Sequence, residues 1–133
     1  MEKKFTLNAS ERLKSRKMLD QVFKTGKRIN QFPLRASYLV DEEISNSILQ
    51  FGCSAPVRTF KRAVDRNRVK RLMKEAFRLQ KFILLDVLSQ KNKRLVIFVI
   101  YSAPGLPNFI TIKTVMGELL LKIKDELPKE QNI

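Results

Sequence analysis

The stretch Leu95-Val96-Ile97-Phe98-Val99-Ile100-Tyr101 constrains this chain more than any other. It is the longest unbroken apolar run, far short of the roughly 18 to 20 residues that span a bilayer, and rich in β-branched and aromatic side chains. A run of that length without polar alternation reads as a strand covered on both faces, at the centre of a sheet. The rest of the chain must then supply neighbouring strands and amphipathic helices to cover it.

Residues 34–40 supply one neighbour, because Leu34, Ala36, Tyr38 and Val40 alternate with Arg35, Ser37 and Leu39 as in a strand with one buried face. Residues 48–55 read as another, in which Gly52 and Cys53 keep side chains small for the close approach of another element and Pro56 ends the pairing. Helical spacing of Met18, Leu19, Val22 and Phe23 predicts a short helix over residues 15–25, stopped at Gly26. A second helix starts between residues 59 and 62 and runs to about 82, with Val69, Leu72, Met73, Ala76 and Phe77 in one apolar arc. A third runs from Thr111 to Leu127 on Val115, Leu119, Leu120 and Ile123, slightly weakened by Gly117. Residues 1–10 read as an extended arm anchored by Phe5 and Leu7, with Ser10 or Ser15 as a helix cap. Residues 41–47 read as a polar turn and 102–107 as a turn-rich connection. The expected order is α-β-β-α-β-α, with room for one more short strand near 27–33 or 53–57. It forms a single domain over residues 1–127, followed by a short polar tail at 128–133.

Charge narrows the function. The 133 residues carry 27 lysines and arginines against 13 acidic residues, a formal charge of +14, which implies a polyanionic partner. Nine of the basic residues fall between Arg58 and Arg78 with only Asp65 and Glu75 to offset them, so most have no i,i+4 partner. A solvated helix face would interleave signs, and adjacent like charges repel unless something outside the chain compensates them. A membrane-surface helix would leave its apolar face exposed, whereas here that face is needed to cover the sheet. In Arg66-Asn67-Arg68 the guanidinium forks suit bidentate phosphate contacts, and the asparagine can donate and accept at a 2′-hydroxyl or base edge. That combination fits RNA better than a plain lysine run. A second surface is open to either of two readings: Phe23 and Tyr38 line a groove for stacked nucleotides, flanked by Lys24, Lys27, Arg28 and Arg35, or each ring is simply core.

Catalytic parts are scarce. The chain has no histidine and one cysteine, Cys53, which reads as a small core residue, so neither a zinc site nor a Ser-His or Cys-His nucleophile can be assembled. The carboxylates are scattered among basic neighbours or in turns such as Asp41-Glu42-Glu43, a poor start for a protein-held Mg²⁺ site. The amino terminus shows no continuous apolar segment of the secretory kind, and the expected location is cytoplasmic, away from membranes.

The segment Arg62-Ala-Val-Asp-Arg-Asn-Arg-Val-Lys-Arg-Leu-Met-Lys-Glu-Ala-Phe-Arg78, following Leu49-Gln-Phe-Gly-Cys-Ser-Ala-Pro56, resembles the helix signature of the bacterial ribonuclease P protein component family. Phe5-Thr-Leu, Glu11-Arg-Leu-Lys-Ser-Arg and Val22-Phe-Lys-Thr-Gly-Lys-Arg28 are similar to that family's segments in the same order. The resemblance implies an α+β fold, a two-layer αβββαβα sandwich with a left-handed βαβ crossover like that of the second domain of ribosomal protein S5. It implies a protein subunit of ribonuclease P that pairs with a catalytic RNA, binds precursor tRNA and promotes endonucleolytic removal of the 5′ leader. In that family the chemistry belongs to the RNA subunit with Mg²⁺, and the protein alone is expected to be inactive, with no protein metal ligand assigned. Carried over, Arg66, Asn67, Arg68, Lys70 and Arg71 would contact the catalytic RNA, joined by Arg58, Lys61, Arg62 and Lys74. Leu19, Phe23, Lys27, Arg35 and Tyr38 would border the leader cleft. Leu19 stands where the family usually has phenylalanine. The segment Pro56-Val-Arg-Thr-Phe-Lys-Arg-Ala63 is longer than its usual counterpart and places Lys61 and Arg62 where Gly-Asn is common. On the residues alone, a non-catalytic RNA-binding or RNA-chaperone protein remains the alternative.

Overall fold

The computed structural model describes residues 12, 16–41, 48–91 and 93–127. The arm, the caps at Ser10 or Ser15, most of the polar turn after β2 and the tail lie outside them. The elements are α1 (Arg16–Thr25), β1 (Lys27–Gln31), β2 (Leu34–Asp41), β3 (Leu49–Ser54), α2 (Ala63–Gln80), α3 (Phe82–Lys91), β4 (Arg94–Tyr101) and α4 (Phe109–Glu126). The extra strand is thus found at 27–31. An unanticipated helix, α3, fills residues 82–91.

The sheet order is β1-β2-β4-β3, which places the apolar run inside, antiparallel to β2 and parallel to β3. Parallel neighbours need a long crossover, and α2 with α3 provides it. Lys81, itself buried, separates the two helices, and its carbonyl accepts from the N–H groups of Leu84 and Leu85 (3.0 Å each) to start the second. Leu84 and Leu88 then recur four residues apart and are fully buried. Because α3 is apolar on several sides its periodicity is faint, which hid it from helical spacing.

Side-chain alternation divides the sheet into two faces. Leu34, Ala36 and Tyr38 of β2, Leu49 and Phe51 of β3, and Leu95, Ile97, Val99 and Tyr101 of β4 pack with α2 and α4 in one core. Phe51 stacks on Phe77 of α2, with ring centroids 4.1 Å apart. That contact adds about 0.5 to 1.5 kcal/mol beyond burial of the rings. The first turn of α4 is closed by Asn108, whose side chain accepts from the N–H of Thr111 (2.8 Å). α1 packs against β2 and β4, and its Val22 is fully buried outside the core cluster, as is Val96 of β4. α1 therefore covers part of the second sheet face. Phe98 and Ile100, further along β4, are only half-buried. The expectation of complete cover on both faces of β4 fails over its second half, where α1 meets Phe98 through Phe23 near its end and leaves Ile100 partly open.

Two glycines are set by close approach. A Cβ at Gly26 would lie 2.4 Å from the Val22 carbonyl oxygen and 2.7 Å from that of Tyr38, so no side chain fits where α1 turns onto β2. At Gly117 a Cβ would lie 2.5 Å from Gln80 Oε1. Gln80 donates to the carbonyls of Ala76 (3.1 Å) and Lys113 (2.9 Å), tying α2 to α4. The residue that weakens α4 as a helix thus admits the α2–α4 contact.

Candidate RNA interface

α2 has the apolar arc expected: Val69, Met73, Ala76 and Phe77 are fully buried and Leu72 half-buried. At 100° per residue the opposite strip must face water, and Asn67, Arg68, Arg71 and Lys74 are exposed along it. Asn67 to Lys74 spans about 10 Å of helix. Arg68, Arg71 and Lys74 have no ion-pair partner among the described residues, so the strip carries its charge uncompensated. Arg78 closes it: its guanidinium binds Glu75 one turn back, and that hydrogen bond holds the Glu75 carboxyl below its usual range. Lys70 is half-buried beside β3, where its carbonyl accepts from the Cys53 Sγ (3.7 Å). Burial pushes the Cys53 thiol up to about 11 against the pull of Lys74 and Lys70, consistent with a packed rather than reactive side chain.

Arg66 differs from its neighbours. It is half-buried, and its Nη1 donates to the carbonyls of Phe60 (2.8 Å) and Lys61 (2.9 Å). Phe60 in turn is buried against Tyr101, with ring centroids 5.8 Å apart. Arg66 therefore holds the 56–62 loop against the head of α2, the longer segment noted in the sequence. Arg58, Lys61 and Arg62 are exposed on that loop.

The second surface lies on the other face of the sheet, where α1 leaves it open. Phe23, at the end of α1, meets Phe98 edge-on, with ring centroids 5.3 Å apart and planes at 76°. Beside this pair runs a cleft of about 430 Å³ lined by Arg28 and Asn30 of β1, Arg35 and Ser37 of β2, and Ile100 of β4. Strand register sets the spacing, with Arg28 opposite Ser37 and Ser37 opposite Phe98, then Asn30 opposite Arg35 and Arg35 opposite Ile100.

Of the five residues expected at the cleft, Phe23 and Arg35 meet there. Tyr38 does not. It is 2% exposed on the helix-facing side, where its hydroxyl donates to Glu126 Oε1 (2.5 Å) and anchors the last turn of α4. Burial, reinforced by that carboxylate, raises the phenol well above its ordinary range. Lys27 pairs with Tyr38 across the ladder and lines, with Tyr38, Glu126 and Leu127, a separate recess away from the cleft. Leu19 is half-buried in α1, a turn before Phe23, and is not among the lining residues. The physical reason for the miss is parity. Tyr38 shares the phase of Leu34 and Ala36, so it points where they point, and Ser37 takes the cleft position. Phe98 was missed because an unbroken apolar run does not show which of its residues border solvent.

No group of three or more Cys, Asp or Glu side chains among the described residues is placed to hold a metal ion, and the chain has no histidine. No described helix is long and apolar enough to cross a membrane.

A helix-on-sheet domain with an uncompensated basic ridge in its helix layer and a basic, aromatic cleft on its other face has the charge pattern of an RNA-binding protein. The ribonuclease P family profile matches residues 7–124. The chain is 37% identical over 124 residues to the ribonuclease P protein component of Porphyromonas gingivalis, covering 93% of this chain and 90% of that one. A ribonuclease P protein component from Nitrosococcus oceani is 38% identical over 66 residues, 48% of this chain and 51% of that one. A solved RNase P protein from Staphylococcus aureus superposes with a TM-score of 0.64 at 21% identity, covering 96% of this chain and 99% of that one. Another structure of that protein gives 0.62 at 23% identity, over 85% and 94% of the two chains. At these identities the structural likeness concerns the fold. The chain belongs to the ribonuclease P protein family, and is the protein component of an endoribonuclease holoenzyme acting in tRNA 5′ processing.

Proposed function

We propose that the two surfaces hold two RNAs at once. The ridge of α2, Asn67, Arg68, Arg71 and Lys74 with Lys70 at its border, docks on the catalytic RNA of ribonuclease P, with Arg58, Lys61 and Arg62 reaching nearby phosphates. The cleft between Phe23 and Arg35 holds the single-stranded 5′ leader of precursor tRNA. The observation that carries this reading is their separation. The ridge lies in the helix layer and the cleft on the opposite sheet face, so neither occupant blocks the other.

The physical task is to bring together two polyanions that repel. A +14 chain between them offsets that repulsion, and each phosphate neutralised releases counterions. In the cleft, Arg28 and Arg35 neutralise leader phosphates while Phe23 and Phe98 offer π surface that accepts any base. Holding the leader fixes the scissile bond relative to the RNA subunit, which lowers the entropy cost of reaching the cleavage geometry. We assign the Mg²⁺ of the reaction to the RNA subunit and place the work in the cytoplasm, away from membranes.

The test is precursor-tRNA cleavage at limiting Mg²⁺ with ribonuclease P RNA, with and without this protein, beside the protein alone. Correct 5′ cleavage should be stimulated only when both are present, and Arg35→Ala should weaken binding of precursor tRNA but not of leaderless tRNA. Tight RNA binding without stimulation would overturn the reading in favour of a general RNA-binding or chaperone role.

A further inference from the structure

Alternation of exposed and covered residues continues from β1 into the turn that follows it. In β1 Ile29 is buried under the helix layer, Gln31 donates its side-chain amide to Glu118 of α4 (3.4 Å), and Pro33 is buried. Alternating with them, Arg28, Asn30 and Phe32 are all exposed. The first two line the cleft, and Phe32, on the turn that joins β1 to β2, is 75% exposed. Beyond the row Asn30, Arg35, Ile100, the next row is this turn. It is held to the end of β4 by Ser102, whose N–H (2.8 Å) and hydroxyl (3.0 Å) both donate to the Pro33 carbonyl. Phe32 follows Asn30 by two residues and precedes Arg35 by three, and both of those line the cleft.

A lone exposed apolar side chain is ordinary on a protein surface. This one is an aromatic ring on a pinned turn, joining the strand ends that carry Asn30 and Arg35 of a basic, aromatic cleft, and turns of this kind usually carry small or polar residues. We infer that Phe32 is a stacking platform for one unpaired base of the precursor's leader, a step beyond the stretch held against Phe23 and Arg35. The inference rests on the cleft reading above. The occupant is single-stranded RNA because the approach to Phe32 passes Arg28 and Arg35, whose charge suits phosphates, while the ring itself takes any base.

The experiment uses the reconstituted holoenzyme and precursor tRNAs whose leaders are lengthened one nucleotide at a time, with binding measured where cleavage is slow. Wild-type protein should gain affinity at a particular leader length, and Phe32→Ala should lose that gain, by about fivefold or more for one base–aromatic stack. Phe32→Trp should keep it and Phe32→Leu should not. A 2-aminopurine at the corresponding leader position should be quenched by wild-type protein and not by Phe32→Ala. Equal loss for all leaders including leaderless tRNA, full retention in Phe32→Leu, no loss in Phe32→Ala, or weaker binding of the RNA subunit alone would each overturn the assignment. Arg35→Ala runs alongside: if it too leaves leader binding unchanged, the cleft reading itself fails, whereas an Arg35 effect without a Phe32 effect rejects only Phe32.

Discussion

Replacing Arg66 and Arg68 separately should give two different phenotypes, although they sit two residues apart in one basic motif. Arg68 is exposed and unpaired among the described residues, so Arg68→Ala should leave stability within about 0.5 kcal/mol. Its loss removes about one phosphate contact, or roughly 0.7 to 0.9 from the slope of log affinity against log salt. Between 50 and 200 mM salt, wild-type protein should therefore lose about threefold more affinity for ribonuclease P RNA than Arg68→Ala. Arg66 gives two charge-assisted hydrogen bonds from one nitrogen to the carbonyls of Phe60 and Lys61. A fully buried bond of that kind contributes about 1.5 to 3 kcal/mol, but half-exposure discounts the pair to about 1 to 2 kcal/mol in total. At about 3 to 5 °C per kcal/mol for a domain of this size, Arg66→Ala should melt about 3 to 10 °C lower. Thermal denaturation and an RNA-binding salt series on the same preparations measure both effects. Wild-type melting in Arg66→Ala would refute the loop-anchoring role, and an unchanged salt slope in Arg68→Ala would refute direct phosphate contact.

Gly26→Ala should destabilise the protein by about 1 to 3 kcal/mol, because the new methyl meets two backbone oxygens that cannot rotate away. Since relief requires α1 to lift from β2, leader-dependent binding should fall with it, as paired melts and binding isotherms would show. Cys53 should be labelled slowly by thiol reagents at neutral pH, with the rate climbing as the pH approaches its raised pKa of about 11 and the thiolate forms. Because its folded pKa is raised, its contribution to stability is full below the unfolded thiol pKa near 8.5 and declines as pH rises toward the folded value. Urea titrations of wild type and Cys53→Ala at pH 7 and pH 10 would expose that difference, and an equal gap at both would contradict it.

Much of this architecture follows from period alone. The alternation in 34–40, the apolar arc of α2 and the unbroken run of β4 each predict their element, because burial on one face, one stripe or two faces leaves a distinct pattern. The basic ridge is equally legible, since charges without local partners need an external one. What escaped depends on tertiary context. Placing Tyr38 in the cleft conflicted with its own phase, and applying the period-two rule throughout would have put Ser37 there. α3 packs on α4 with Leu84 and Leu88 buried, but Phe82, Ile83, Leu85 and Val87 spread further apolar side chains around it, so its helical period is faint. Arg66 looks like its neighbours in sequence, and only the path of the 56–62 loop shows that its guanidinium is occupied by backbone carbonyls. Gly117 reads as a helix defect until Gln80 of α2 is seen to fill the space a methyl would need.

The two-faced character of β4 bears on how the sheet finds its pairing. A slip by one residue normally exposes a hydrophobic set and is penalised for it. In β4 a slip would exchange Leu95, Ile97 and Val99 for Val96, Phe98 and Ile100, apolar for apolar, with little penalty from hydrophobicity. The correct alignment must be imposed by β2, where Leu34, Ala36 and Tyr38 alternate with Arg35 and Ser37, and by Gly52 of β3, which stands opposite Phe98. β2 is thus the template against which β4 is aligned. Mispairing should be provoked more readily by substitutions that blur its alternation than by conservative changes in the long apolar strand beside it.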